Sequence, residues 1–374
     1  MEQKKNGEGA LKNQRANLEG LFLMLCIVGG IVSTFMFASA FNLIYNGFLF
    51  NLPPIDPLQA GSNQLGNSFG TDYRVYYTNK SLPIETVLEE WQSEIANMKS
   101  FGFNTVRLSF AFNNSGGTTH STLVYSELNQ VLTLLDENGL HAVLDLHNWE
   151  DMQGFFGSPD WIQSWVDLAS HYKNDQTIIA YELFNEPYPS TWYSTVQTGG
   201  AGGPEGTGCL QALAQCVDAI RATGDQHAIV YPDPYFIIPS SQITNPNYIP
   251  ASLKRTNIII TFHCWYGDNQ TMNTMNADLV GKEQEVTDWQ KYYTVWIGEY
   301  GWYTGPAYNQ TIQQAWLVGW TKFAIQNGIR VSWWLHGYTG GRTQAYQLCK
   351  MVMQDAGMSV PVQATTSASP YDTH

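Results

Sequence analysis

The chain has 374 residues, of which 44% are hydrophobic, 14% aromatic and 13% charged. With 32 acidic and 18 basic residues its formal net charge is −14, which argues against nucleic acid as a partner because phosphate binding requires a basic surface. The length suits one barrel-sized domain or two small ones. The many aromatic side chains fit either a large core or the binding of flat, uncharged ligands.

The amino-terminal segment predicts export from the cytoplasm. Residues 1–19 form a polar leader, and residues 20–41 contain no charged side chain. About 20 apolar residues suffice to cross a bilayer as a helix, and basic residues on the amino side keep that end in the cytoplasm. We therefore predict a transmembrane anchor over 20–41, with the rest of the chain on the extracellular face. A signal peptide cleaved after Ala40 and a buried core helix are the alternatives.

The remaining chain divides into three further parts. Residues 42–70 predict a linker or wrapping arm, because their second part is rich in Pro, Gly, Asn and Ser. Strand and helix patterns alternate over 71–356, and residues 357–374 predict a disordered tail. Such alternation indicates a parallel sheet with right-handed crossovers.

Eight strand candidates over about 280 residues predict an α/β fold, a single (β/α)8 TIM barrel. A doubly wound open sheet is the competing fold. No G-x-G-x-x-G motif follows an early strand, so the nucleotide-binding version of that sheet has no support.

Polar side chains follow the hydrophobic strand candidates at their carboxyl ends. In the stretch 178–187, IIAYELFNEP, Asn185 and Glu186 come after a buried strand, and the stretch 294–301, TVWIGEYG, repeats the pattern with Glu299. In a barrel the carboxyl ends of all strands meet at one mouth. The other residues at predicted strand ends are Arg107, His147, His263 and either Trp333 or Trp334.

Two carboxylic acids at one mouth are what cleavage of a glycosidic bond requires. One must be protonated to release the sugar oxygen, and the other must be ionised to attack or to activate water. A nearby arginine holds one acid ionised, while burial and a neighbouring negative charge keep the other protonated. Each residue alone has an ordinary structural interpretation, such as a core tryptophan. Their joint occurrence at strand ends indicates an active site.

These motifs resemble glycoside hydrolase family 5, the cellulase-type family in a clan of retaining (β/α)8 glycosidases. That clan carries its acid/base after strand 4 and its nucleophile after strand 7. The stretch FNEP at 184–187 is similar to the strand-4 motif, and IGEYG at 297–301 to the strand-7 motif. Three further family positions are similar to Arg107 in NTVRLSF, His147 in LDLHNW and His263 in ITFHCWY. The likeness covers about residues 70 to 355.

The resemblance implies a role for each matching residue. Glu186 would be the general acid/base and Glu299 the nucleophile, which Arg107 would orient and ionise. Asn185 would bind the 2-hydroxyl of the sugar being cleaved. The remaining substrate-binding positions would be His147 and His263, beside the sugar or the catalytic carboxylates, and Trp334, a stacking platform beneath the ring.

One position departs from the family pattern. The family usually has a tyrosine two positions after the strand-6 histidine, in contact with the nucleophile, and this chain has Trp265 there, followed by Tyr266. Either the loop shifts to bring Tyr266 inward as a substrate-binding residue, or that hydrogen bond is missing.

No metal or organic cofactor is expected. The five cysteines lack metal-type spacing, and Cys209 with Cys216 is either a disulfide in an oxidising compartment or a free buried pair.

The sequence thus predicts an extracytoplasmic, monomeric endo-β-glycosidase that hydrolyses β-1,4-glucan with retention of configuration. Its partners would be a polysaccharide substrate and, through the amino-terminal helix, a membrane. A β-mannanase or a β-1,3-glucanase on the same scaffold, a transglycosylase, and a non-catalytic carbohydrate-binding barrel are the alternatives.

Overall fold

The computed structural model describes ten segments of the chain, which are residues 69–74, 84–112, 123–147, 155–186, 207–232, 257–265, 271–291, 293–301, 309–334 and 342–358. The predicted leader and membrane segment, most of the linker, and the tail from residue 359 lie outside them. Within these segments no helix is long and apolar enough to cross a membrane.

Eight parallel strands form a closed barrel in which neighbours in sequence are neighbours in the sheet. The last strand pairs with the first, which closes the barrel. The strands are β1 (Phe69–Arg74), β2 (Thr105–Phe110), β3 (His141–Leu146), β4 (Ile178–Glu182), β5 (Ala228–Pro232), β6 (Ile258–His263), β7 (Thr294–Gly301) and β8 (Arg330–Trp334). The predicted (β/α)8 barrel is confirmed. Its first strand starts at Phe69, two residues before the predicted domain boundary.

Seven helices alternate with these strands in the described segments. They are α1 (Ile84–Ser100), α2 (Tyr125–Glu137), α3 (Pro159–Tyr172), α4 (Thr207–Ala222), α5 (Met272–Gln290), α6 (Gln310–Asn327) and α7 (Arg342–Asp355). Each follows one strand, and the residues between β5 and β6 include 233–256, which lie outside the description.

Local sequence signals set several helix ends. The side chain of Ser158 accepts a hydrogen bond from the backbone of Trp161 at the start of α3, and Pro159 occupies the first turn, where its missing N–H has no consequence. Helix α6 begins after Asn309, whose side chain caps two backbone N–H groups, and ends at Gly328 in the left-handed conformation. These signals make the order of strands and helices readable from the sequence.

The core has two parts on opposite sides of the sheet. A large cluster lies between the strands and the helices and includes Val106, Leu108, Leu144 and Ile260. A smaller cluster fills the barrel interior: Val143, Ile179, Ala180, Ala228, Val230, Ile259 and Trp296. Because side chains alternate across a strand, the interior also receives the polar residues of the same strands.

The cysteine alternatives are settled by helix α4, which contains both Cys209 and Cys216. Seven residues along a helix span about 10 Å, more than the roughly 7 Å between Cα atoms that a disulfide allows. Cys216 is a free, buried thiol, and burial raises its pKa well above the ordinary value. The disulfide between these two cysteines was therefore the wrong alternative.

Candidate active site

The structure places six of the eight predicted site residues at or near the carboxyl ends of the strands. His147 directly follows β3, His263 ends β6 and Trp334 ends β8. Asn185 and Glu186 lie a few residues beyond β4, and Glu299 lies within β7. Tyr266 is outside the described segments.

Arg107 departs from its predicted position at a strand end. It is the third residue of β2 and lies fully buried inside the barrel. Its long side chain still reaches the mouth, where Nη1 donates to Glu299 Oε1 at 2.6 Å. Its Nη2 donates to Asn185 Oδ1 at 2.7 Å. One guanidinium thus positions residues from two strands, which a planar group with several donors can do.

The two predicted catalytic carboxylates lie close together. Glu186, His263 and Glu299 each contribute one atom to a group in which all three atoms lie within 4.8 Å of one another. His263 Nδ1 is 2.6 Å from Glu186 Oε1 and 3.4 Å from Glu299 Oε2. This spacing is close to the 5 to 5.5 Å typical of retaining glycosidases and below the 6.5 to 9.5 Å of inverting ones.

Glu186 has an unusual backbone conformation. Its φ angle is 36°, in the left-handed region that residues other than glycine rarely adopt. Such a conformation costs on the order of 1 to 3 kcal/mol and is found most often at functional sites. The turn after β4 therefore directs the Glu186 side chain to His263 against a backbone preference.

Aromatic side chains line one side of the same mouth. The rings of His147 and Trp334 are stacked, with centroids 5.6 Å apart and planes 18° apart. Trp265 packs edge-on against Trp334, at 6.0 Å and 82°. Gly301 lies beside both tryptophans, and a Cβ there would come within 2.8 Å of the Trp334 carbonyl oxygen and 3.5 Å of the Trp265 indole. Trp265 and Trp334 are only partly buried, so each exposes aromatic surface.

Sequence reasoning missed two acidic residues of the site, Asp145 and Glu182. Arg107 donates to both carboxylate oxygens of Glu182, at 2.6 and 2.9 Å, and its Nη2 is 3.1 Å from Asp145. Asp145 also contacts His147 Nδ1 at 2.7 Å. Asp145 precedes His147 by two positions, and Glu182 precedes Glu186 by four. The period of two that places them inside the barrel could have identified them.

Burial dominates the protonation of two groups in this network. Burial raises the pKa of Glu182 to about 7, although the charge and hydrogen bonds of Arg107 oppose the shift. Burial lowers the pKa of His263, and the hydrogen bond with Glu186 offsets only part of that effect. The interior therefore favours the neutral forms of both side chains.

Glu186, His263 and Glu299 form the one grouping, in the described part of the chain, of three side chains spaced closely enough to share a cation. The three side chains are also those of the predicted catalytic carboxylate pair and the histidine beside it. A bound ion would occupy both carboxylates and leave neither for proton transfer or attack, so we assign the grouping to acid/base and nucleophilic chemistry.

The sequence profile of cellulase (glycosyl hydrolase family 5) matches residues 66–340, which is most of the chain and includes every described site residue. The chain belongs to glycosyl hydrolase family 5. This family consists of enzymes that cleave glycosidic bonds, and the resemblance expected from the motifs is confirmed.

Two curated relatives match a limited part of this family 5 chain. A β-xylosidase from Phanerodontia chrysosporium is 26% identical over 116 residues, covering 25% of this chain and 24% of the relative. Cellodextrinase A from Ruminococcus flavefaciens is 28% identical over 111 residues, covering 25% and 32%. The chain thus spans about a quarter to a third of the length of these relatives.

Solved structures share the fold at low sequence identity. An endoglucanase of broad specificity from an uncultured bovine rumen ciliate has a TM-score of 0.56 and 16% identity, covering 81% of this chain and 100% of that one. A lichenase from Caldicellulosiruptor sp. F32 has a TM-score of 0.54 and 18% identity, covering 82% and 96%. At these identities the likeness supports the barrel fold alone.

Proposed function

We propose that this protein is an extracytoplasmic, retaining endo-β-glycosidase that hydrolyses β-1,4-glucan by double displacement. Glu299 is the nucleophile and Glu186 the general acid/base. The observation that carries the proposal is the spacing of these two side chains, because one oxygen of Glu186 lies within 4.8 Å of one oxygen of Glu299. A retaining mechanism requires a short separation, because the second carboxylate attacks the sugar directly and no water has to fit between them.

The first half of the reaction forms a covalent bond to Glu299. Its carboxylate attacks the anomeric carbon, the bond to the leaving sugar oxygen breaks, and Glu186 transfers its proton to that oxygen. Arg107 Nη1, at 2.6 Å from Glu299 Oε1, orients the nucleophile and stabilises its negative charge before attack.

The second half of the reaction releases the sugar. Glu186, now ionised, removes a proton from water, the water oxygen attacks the anomeric carbon, and the bond to Glu299 breaks. Two inversions at one carbon give net retention. The glutamates return to their starting protonation states, so no metal or organic cofactor is needed for these steps.

The other site residues bind the sugar in this proposal. The side chain of Asn185 is held by Arg107 at 2.7 Å, which aims its amide at the 2-hydroxyl of the ring being cleaved. Trp334 presents a partly exposed indole as a stacking platform, and the parallel ring of His147 supports it. His263 contacts both catalytic carboxylates through Nδ1. Tyr266 stays a predicted substrate-binding residue.

The substrate class rests on family membership and on the described activities of similar proteins. Cellodextrinase A and two endocellulases of the same fold are named for cellodextrins and cellulose, which favours β-1,4-glucan. β-Mannan and β-1,3-glucan remain the competing substrates. Export through residues 20–41 suits this assignment, because a polymer cannot enter the cell, and we propose a monomer on the extracellular face.

Reducing-sugar release by the full-length chain from soluble cellulose, mannan and laminarin tests the proposal. We expect release from soluble cellulose, with loss of activity in Glu299→Gln and a loss of about 10² to 10⁴-fold in Glu186→Gln. Glu137→Gln, an exposed substitution on α2, is the matched control and should leave the rate unchanged. NMR of the first product should show the β-anomer.

Release from mannan or laminarin instead would change the substrate. Release of the α-anomer would contradict the retaining mechanism. Binding to a polymer without release would indicate a carbohydrate-binding barrel.

A further inference from the structure

His263 makes different contacts at its two ring nitrogens. Nδ1 lies 2.6 Å from Glu186 Oε1, the oxygen of the proposed general acid. Nε2 is buried and has no hydrogen-bond partner among the residues that the structure describes. A buried polar atom without a partner requires an explanation, such as a neighbouring group or an ordered water that completes it.

A second unpartnered atom lies next to Nε2. Thr261 is two residues before His263 on β6, so both side chains point into the barrel. The hydroxyl of Thr261 is fully buried and, in the described segments, also lacks a partner. Both atoms lie next to Gly298 on the neighbouring strand. A Cβ added to this glycine would collide with Thr261 Oγ1 and lie 3.1 Å from His263 Nε2.

The location of the imidazole proton determines how His263 acts on Glu186. If Nδ1 carries the proton, His263 donates to the ionised carboxylate and stabilises it. If Nε2 carries the proton, Nδ1 presents a lone pair that accepts a hydrogen bond from protonated Glu186. A buried N–H without an acceptor is costly, so the second tautomer requires an acceptor close to Nε2.

Building on the function proposed above, we propose that Thr261 is a positioning residue for the general acid. Its hydroxyl oxygen accepts the Nε2–H of His263 through one buried water, and this leaves the lone pair of Nδ1 to protonated Glu186. The acid form of Glu186 is therefore stabilised from beneath the site by a residue that does not touch the substrate.

The charges around His263 are consistent with this arrangement. The side chain faces Glu186 and Glu299 directly and interacts with Arg107 and Glu182. Burial lowers the pKa of His263, and Arg107 lowers it further, while Glu186 and Glu182 act in the opposite direction. A neutral imidazole has one N–H, so its two nitrogens compete for a single proton.

The test compares Thr261→Val, which removes the acceptor at nearly constant shape, with Thr261→Ser, which keeps it. Ser332→Ala is the matched control, because Ser332 on β8 also carries a buried hydroxyl without a partner in the described segments. The measurement is the pH dependence of kcat/KM of the full-length enzyme for two aryl cellobioside substrates. The 4-nitrophenyl compound benefits from protonation of its leaving group, and the 2,4-dinitrophenyl compound does not.

We expect Thr261→Val to shift the alkaline limb of the 4-nitrophenyl profile to lower pH by about 0.5 to 1 unit, the effect of one hydrogen bond. Thr261→Ser, Ser332→Ala and all 2,4-dinitrophenyl rates should match the wild type. A Thr261→Val profile that coincides with the wild type would overturn the proposal. An equal loss on both substrates would also do so, because it would indicate a structural role.

The tautomer can also be observed without a variant at Thr261. The ¹⁵N resonances of His263, assigned by comparison with His263→Asn, should report a proton on Nε2 in the resting enzyme, and a proton on Nδ1 would refute the proposal. This measurement is independent of turnover. An inactive wild type would therefore contradict the proposed function and leave the tautomer to be decided separately.

Discussion

Arg107 contacts three carboxylates in the buried interior of the barrel. Asp145, Glu182 and Glu299 lie 2.6 to 3.1 Å from its nitrogens, and the exposure of these residues does not exceed 3%. One positive charge cannot balance three negative charges at low dielectric, so protons must compensate part of the difference. Glu182 is the acid in this group whose pKa is raised to about 7.

The first prediction concerns Glu182 and the stability of the fold. Its pKa is about 7 in the folded protein against 4.5 ordinarily, so the folded state retains a proton that the unfolded state releases between these values. The stabilisation is complete below pH 4.5 and is lost as pH rises through 7. Relative to Glu182→Gln, which resembles the protonated form, the wild type should lose about 3 kcal/mol of unfolding free energy across this range.

Urea unfolding of both proteins at several pH values between 4.5 and 7.5 measures this difference. Glu137→Gln should run parallel to the wild type throughout, because its side chain is exposed. A Glu182→Gln curve that also runs parallel would contradict the prediction.

The second prediction concerns Gly298. A Cβ at this position would collide with Thr261 Oγ1 and press on His263 Nε2 at 3.1 Å. Gly298→Ala should therefore destabilise the fold by about 1 to 3 kcal/mol and lower kcat, because His263 would move relative to Glu186. Thermal unfolding and steady-state kinetics measure the two effects.

Gly281→Ala is the matched substitution, since a Cβ there meets nothing within 4 Å on helix α5. It should stabilise the helix by roughly 0.5 to 1 kcal/mol without affecting kcat. Equal changes in stability and kcat in the two variants would show that Gly298 is not constrained by its neighbours.

At the scale of elements, an irregularity in β7 directs the nucleophile into the barrel. The register with β8 shifts between Ile297 and Tyr300, both of which belong to the cluster outside the barrel. The two residues between them are Gly298, which faces Thr261, and Glu299, which faces Arg107. A β-bulge allows consecutive residues to serve the same side, which strict alternation would forbid.

The turn between α4 and β5 is held by a second polar cluster, at the opposite ends of the strands. Asp225 accepts hydrogen bonds from Tyr181 at 2.8 Å and from the backbone of His227 at 2.7 Å. Burial raises the pKa of Asp225, but the hydrogen bonds and charge of His227 outweigh it, so the pKa is lowered overall. This cluster fixes the start of β5 without involving the site.

The third prediction follows from that turn. Asp225→Asn should lower the unfolding free energy by about 1 to 3 kcal/mol at pH 7, because it removes charged hydrogen bonds. A carboxyl whose pKa is lowered stabilises the fold above its unfolded pKa, so this difference should persist down to about pH 4 and close only in stronger acid.

Urea unfolding at pH 7 and pH 4.5 measures the difference. Asp288→Asn, which breaks an exposed ion pair with Lys291, should change stability by less than about 1 kcal/mol. An Asp225→Asn effect that is as small would contradict the assignment. Activity should be unchanged in both variants.

At the scale of the molecule, the barrel accounts for the location of the site. Closure through β1 and β8 directs the carboxyl ends of all eight strands to one mouth. Residues 192 positions apart, Arg107 and Glu299, therefore come into contact at 2.6 Å. A doubly wound open sheet would not place β1 beside β8, so that competing fold is excluded.

The fourth prediction concerns the whole chain and its amino-terminal segment, which is outside the described residues. Full-length protein should sediment with membranes and resist alkaline extraction, because residues 20–41 are long enough to span a bilayer. Val28→Arg should weaken that association, since a charge near the centre of the span costs about 2.5 to 3.5 kcal/mol. A chain that begins after residue 41 is the control and should stay in solution.

Recovery of a soluble protein that begins at Phe41 would instead support the cleaved signal peptide. Cytosolic protein with an intact amino terminus would contradict both export interpretations.

The sequence by itself determined the order of elements, the fold class and most of the site. Helix caps such as Ser158 and the hydrophobic runs before Glu186 and Glu299 are local signals, because they depend on neighbouring residues alone. The two motifs around these glutamates were sufficient to indicate the family and to predict a catalytic pair.

Only the tertiary structure decided how the buried charges of the interior are compensated. Three features depend on which strands are neighbours: the contact of Arg107 with Glu182, the bulge that directs Glu299 inward, and the position of Thr261 near His263. Register and burial set protonation, because desolvation and nearby charge act through space and leave no periodic signal in the chain. The structure also decided between the alternatives for Cys209 and Cys216, because helix α4 holds these residues about two turns apart.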